Sequence, residues 1–487
     1  MGEKYDTLVE HLNDMASVNS AIWTLNWDMQ TQMPQGGYAN RSKQLKVLSR
    51  MVFEQFTDEK TQTLLEGAAA EINGDDPDSD AARLVALTRR DYEQSTKLTP
   101  EFVAEMTQLR AMGQQAWQKA RAEKDFSIFQ PLLEQIMDMK LKEAEMRGYE
   151  DHPYNALLAQ FEPGMTTEQV KTIFDAHKPA LIELVEGITA NADRVDTSVM
   201  HQTFDIAAQR QFGLDMVEGF GFDFSRGRQD VAAHPFCAPL ARDDVRITTR
   251  FRENSLTSLF AMMHEAGHGL HGQGVAAELD GTALGWTSMG PKSMAVAESQ
   301  SRTWENMVGR SRAFWEWAYP KFQAAFPGQF DDVPLDTFYG AFNRVKPTFI
   351  RVEADEVTYN LHIMIRFELE LALITGELKV ADLPEAWNAK YEAYLGITPP
   401  DAAMGVLQDI HWSSGSVGYF PTYALGNLLA AQYFNAALKA NPTMLEEIAE
   451  GKFDSLLNWQ IEHIHRHGRK LSLTRLIVPY TYSQNRK

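Results

Sequence analysis

The chain has 487 residues, long enough for a large buried core, and its 44% hydrophobic and 23% charged residues match a soluble globular protein. Lys and Arg number 46 against 66 Asp and Glu, and the resulting charge of -20 disfavours docking on nucleic acid or an anionic membrane. With one cysteine, Cys237, no signal-peptide pattern and no apolar run of the roughly 18 residues a membrane span needs, the expected location is cytoplasmic.

Helical periodicity dominates. A first helical stretch reads over 41–70, followed by an acidic surface loop over 74–80. Thr99 and Pro100 form an N-cap with proline at the first helical position, and Phe102, Met106, Leu109, Gly113 and Ala116 follow at helical spacing. Helix is next expected over 127–148, and Thr166 with Gln169 makes a capping box for a helix through Val170 and Phe174. The best strand signal is the Thr- and Ile-rich segment 245–251. Further helices read over 255–271, 293–318, 351–375 and 421–438, with a loop over 327–334. No repeat or linker divides the chain, so one mostly helical domain over 1–487 is expected.

The helix over 255–271 carries His264-Glu265-Ala266-Gly267-His268, an HExxH motif behind apolar Leu259, Phe260, Met262 and Met263. Two histidines four apart share a helix face one turn apart, so both imidazoles can reach one zinc ion. Glu265 is offset around the helix, beside the metal, where a carboxylate can take a proton from the attacking water. A catalytic zinc needs a third protein ligand and an open position. The position where metzincins place a third histidine holds Gly274, and His271 reads as second shell or surface. An acid on a later helix is the better candidate: Glu298 or Glu305, two turns apart on one face, which spacing alone does not separate. Glu278, in a Gly-rich loop, is weaker.

Several other motifs accompany HExxH in order. These are Trp27-Asp28 with Met33-Pro34 and Gly36-Gly37, Gly227-Arg228-Gln229-Asp230 leading to His234-Pro235-Phe236, and Asp244 to Arg250 just before HExxH. Glu298-Ser299-Gln300, Ile350-Arg351 through Asp355, and Gly405 through Gln408-Asp409-Ile410-His411-Trp412 follow. Together they resemble the carboxypeptidase Taq family of zinc metallocarboxypeptidases over nearly the whole chain. One departure is Ala297, where the family usually has histidine.

The resemblance implies an all-α, neurolysin-like fold with a long central groove, a very small β element before the HExxH helix, and a homodimer. It implies a broad-specificity carboxypeptidase with one Zn2+ per chain, other divalent metals such as Co2+ being able to replace it. Peptides with a free C-terminus are then the substrates. By the match, His264, His268 and Glu298 are the metal ligands and Glu265 is the base. Arg351 binds the substrate's terminal carboxylate, and His234, His411, Tyr419 and Tyr423 line the site. Without the match, Arg351 with Asp355 reads as a surface ion pair, His411 as a core histidine beside Trp412, and each tyrosine as packing. Cys237 reads as a buried structural thiol. Two other functions remain: a zinc oligopeptidase or endopeptidase on the same fold, and a non-catalytic zinc- or peptide-binding protein.

Overall fold

The computed structural model describes residues 2–285, 292–471, 473 and 476. Helices α1 (Glu3–Thr31), α2 (Tyr38–Thr57), α3 (Glu59–Glu71) and α4 (Asp80–Thr96) pack around their own apolar cluster, with Leu8, Met15, Val52, Phe56, Leu65 and Leu84 at its centre. The stretch expected as one helix over 41–70 is two, because the Asp58 carboxylate accepts from Lys60 N and starts α3 afresh. Helix α5 (Pro100–Glu123) opens on Thr99, whose hydroxyl accepts from Phe102 N. Helices α6 (Gln130–Arg147), α7 (Tyr154–Leu158), α8 (Thr167–Thr189, with the Thr166–Gln169 capping box) and α9 (Ile206–Gly219) complete the first half.

A three-stranded sheet follows: β1 (Gly227–Val231), β2 (Cys237–Ala241) and β3 (Asp244–Thr249), in the order β1-β3-β2. β1 runs parallel to β3, in register Gly227 to Val245, and β2 runs antiparallel to it. Only β3 has a strand-like sequence. β1 and β2 are five residues each, and Pro239 is tolerated because β2 is an edge strand.

The second half comprises α10 (Thr257–Gln273), α11 (Met294–Arg302) with its continuation as a π segment (Thr303–Val308), α12 (Arg312–Ala325), α13 (Leu335–Phe342), α14 (Tyr359–Thr375), α15 (Leu383–Leu395), α16 (Pro421–Ala440), α17 (Met444–Ala449) and α18 (Asp454–His463). The helix expected over 293–318 ends at the π segment, and Ser311 caps a new one by accepting from Phe314 N. The helix expected from 351 starts only at Tyr359, since Asp355 takes the Val357 and Thr358 amides in a turn. The main core runs through all of these elements, with Leu259, Met262, Met263 and Ala266 of α10 buried within it. Among the described residues no helix is long and apolar enough to cross a membrane.

Helix α14 is buried on nearly every side. It carries His362, Arg366 and Glu370 at i, i+4 and i+8, all fully buried, as a polar stripe along an otherwise apolar rod. Buried polar groups of this kind must find partners, and these find them partly in the loop between α15 and α16.

Candidate metal centre

Helix α10 presents His264 and His268 on one side and an apolar stripe on the other. Its partner α11 comes unusually close. A Cβ at Gly267 would lie 2.5 Å from Gln300 O and 2.6 Å from the Ser301 Cα, so glycine is what lets the two backbones touch. That approach brings Glu298 beside both histidines. Its Oε2 is 3.6 Å from His264 Nε2 and 3.5 Å from His268 Nε2, and the three ligand atoms all lie within 4.8 Å of one another.

The spacing ambiguity between Glu298 and Glu305 has a geometric answer. The π segment carries Glu305 to the far nitrogen of His264, where Nδ1 donates to Glu305 Oε2 at 2.7 Å. That bond leaves the His264 Nε2 lone pair facing Glu298. Arg302 joins the two acids, its Nε on Glu298 Oε1 (2.8 Å) and its Nη1 on Glu305 Oε2 (2.9 Å), with the guanidinium over the Tyr359 ring. Burial pushes both carboxyls up, but Arg302 and the histidines overcome it. Glu298 is held well below the usual carboxylate range and Glu305 down to about 2. In the sequence Arg302 is marked only by its i+4 and i-3 spacing to the two acids, a signal short of a motif.

Glu265 is only 6% exposed, and burial pushes its pKa to about 8, with Glu298 and Glu305 adding to the rise. Any bound dication would act in the opposite sense. Two imidazoles and one carboxylate, with a separate carboxylate beside them, fit a catalytic zinc site in ligand type and number. His271 is not a surface residue: it is buried, its ring 4.9 Å from that of His465. Glu278 is exposed and outside the cluster. Ala297 is buried on α11. Cys237 sits near enough to Glu265 for its charge to help burial raise the thiol's pKa.

A second group adjoins the first through Tyr359. Arg351 is buried, with Nε and Nη2 on Asp409 Oδ1 (3.1 and 2.8 Å) and Nη1 on the Tyr359 hydroxyl (2.8 Å). Arg366 holds the other oxygen, Asp409 Oδ2, at 2.7 Å. Two guanidiniums on one carboxylate leave this cluster one positive charge in excess. The partner of Arg351 is Asp409, not the Asp355 that i+4 spacing suggests.

The Arg351 guanidinium also lies 4.9 Å from the Tyr423 ring, and the Tyr423 hydroxyl is 3.3 Å from His411 Nε2. Burial lowers His411 to about 3, so it works as a neutral imidazole, while burial raises both Tyr419 and Tyr423 and keeps their protons on. Their rings are 5.2 Å apart. His234 stands apart on the β1–β2 loop. It is exposed, and among the described residues it shares no hydrogen bond or ion pair with the other candidates. Partial burial and the charges of Arg250 and Arg121 lower its pKa.

Comparison with known proteins gives a consistent picture. The model of the carboxypeptidase Taq (M32) metallopeptidase family matches residues 7–485. Carboxypeptidase 1 of Bacillus subtilis is 39% identical over 460 residues, 94% of this chain and 91% of that protein. Thermostable carboxypeptidase 1 of Thermus thermophilus is 39% identical over 476 residues, 96% of this chain and 92% of that protein. The crystal structure of the M32 carboxypeptidase from Deinococcus radiodurans superposes with a TM-score of 0.94 at 38% identity, covering 99% of this chain and 95% of that one.

Proposed function

The chain belongs to the carboxypeptidase Taq (M32) metallopeptidase family and is a metal-dependent carboxypeptidase, and from that premise we propose that zinc is its metal, held by His264, His268 and Glu298. The observation that carries this reading is the convergence of those three ligand atoms within 4.8 Å, with His264 oriented from behind by Glu305. When bound, zinc supplies Lewis acidity, polarising the scissile carbonyl and making water acidic enough to be deprotonated near neutral pH.

The chain's own residues do the rest. Glu265, beside the ligands and not among them, takes the proton of the attacking water and returns it to the leaving amine. Tyr419 and Tyr423, protonated across the working range, donate to the oxygen on which charge develops, with neutral His411 behind Tyr423. Arg351 binds the terminal carboxylate. Support for this comes from the excess positive charge of the Arg351–Arg366–Asp409 cluster, which favours an incoming carboxylate once water is excluded. His234 belongs at the outer rim, where an exposed imidazole can meet the peptide. We read the whole chain, 1–487, as one broad-specificity catalytic domain that works in the cytoplasm as a homodimer, and its charge of -20 argues against nucleic-acid or membrane partners.

The test is mass spectrometry of the products from one unmodified peptide, before and after chelation and after adding zinc back. Residues should leave singly from the C-terminus, stop with chelator and resume with zinc. Internal cleavage first would replace this reading with an endopeptidase, and chelator-resistant activity would remove the metal from it.

A further inference from the structure

Glu370, on the buried stripe of α14, has no part in the mechanism above, yet it is fully buried and receives three hydrogen bonds. The Tyr154 hydroxyl donates to its Oε2 at 2.6 Å, Gly418 N to the same oxygen at 3.1 Å, and Trp412 Nε1 to its Oε1 at 2.8 Å. Burial disfavours the charged form and lifts the pKa to about 7, while the three donors pull it back.

Two of those donors bracket one loop. Trp412 directly follows His411, and Gly418 directly precedes Tyr419. Gly418 has φ +96°, and a Cβ there would lie 2.8 Å from the Leu157 carbonyl carbon and 2.9 Å from Leu158 N, so its amide can reach Glu370 only with the loop pressed onto α7. At the loop's other end Arg366, one turn earlier on α14, holds Asp409.

We propose that Glu370 is a positioning residue for the peptidase reaction, its single carboxylate tying both ends of the 412–418 loop so that His411 and Tyr419 keep a fixed separation beside the metal ligands. This rests on the roles given above to His411 and Tyr419. A carboxylate is suited to the task because two acceptor oxygens on one rigid group can serve two loop ends at once. An amide cannot, since its NH2 would face a donor. Loosening the loop by about 1 Å should misplace the oxyanion donors without touching the ligands, a displacement that costs on the order of 100-fold in rate.

The experiment is a double-mutant cycle on zinc-loaded enzyme, with kcat, KM and metal content measured for wild type, E370Q, Y419F and E370Q/Y419F on one blocked dipeptide. E370Q should lower kcat about 10- to 100-fold, with KM within about threefold and metal content unchanged. The double variant should fall less than about threefold below Y419F, because both changes remove one contribution. Near-normal kcat in E370Q, or losses that multiply, would overturn the assignment. Should E370Q fail to fold, W412F removes one donor while keeping most of the ring, and the same cycle decides. Should Y419F alone cost nothing, the tyrosine's proposed role is what fails, and a cycle with H411N judges Glu370 by the same criterion.

Discussion

The site has two halves, built in opposite ways. The metal half draws every group from two packed helices, between His264 and Glu305, and Arg302 offsets one of its two acidic charges, leaving an excess of negative charge for a cation. The terminus half gathers Arg351, Arg366, Asp409, His411 and Tyr423 from four segments, held together by charges buried far from their sequence neighbours. On the proposed reading, hydrolysis falls to the first half, as in zinc peptidases of any direction, and direction falls to the second. Substitutions in the two halves should therefore separate chemistry from recognition.

Substitutions in the metal half should cost the most. Glu265→Gln should lose several orders of magnitude in kcat while retaining metal, whereas His264→Ala should lose the metal itself; steady-state kinetics with elemental analysis checks both. Near-normal turnover in Glu265→Gln would move the base elsewhere. Next comes the division of labour between the two acids of that half. Glu298→Ala should abolish metal binding, and Glu305→Ala should weaken it about 10- to 100-fold by releasing His264. Equal losses in a metal titration would make Glu305 a ligand.

A smaller difference between the halves should show in their response to pH. Each half rests on a buried carboxylate pushed up to about 7: Glu370 under the loop, and Glu162, whose Oε2 accepts from Ala295 N at the start of α11. A carboxyl whose folded pKa is raised binds its proton more tightly when folded. Stability therefore falls as pH rises from about 4.5 to about 7 and is level above that. Between pH 5 and 8, Glu162→Gln should lose about 2–4 °C less in melting temperature than wild type. Parallel melting curves would show that the folded-state pKa of Glu162 is not raised.

The same contrast explains what could be read from the sequence. HExxH, the Thr99 and Thr166 caps and the strand expected over 245–251, which forms over Asp244–Thr249, are local patterns, and local physics makes them. The split at Asp58 was also local and legible, since Asp is a cap residue. The role of Glu305 was not, because a π turn sets its direction and periodicity assumes a regular helix. The partner of Arg351 was hidden for a different reason. Asp409 lies 58 residues away, and only packing of α14 against the loop brings it there. His234 was carried by its motif alone, and the structure leaves it exposed.

Arg351 in the second half is proposed to receive the substrate's free carboxylate. This role is tested by a four-way comparison of wild type and Arg351→Met on the acid and C-terminal amide forms of one peptide. A charge-assisted hydrogen bond is worth roughly 1.5–3 kcal/mol, so amidation should cost wild type about tenfold to a few hundredfold in kcat/KM. Arg351→Met should lose a similar factor on the acid and little more on the amide. If amidation costs wild type nothing, or if its cost is undiminished in Arg351→Met, the guanidinium serves only its internal partners Asp409 and Tyr359 and does not receive the substrate's terminus.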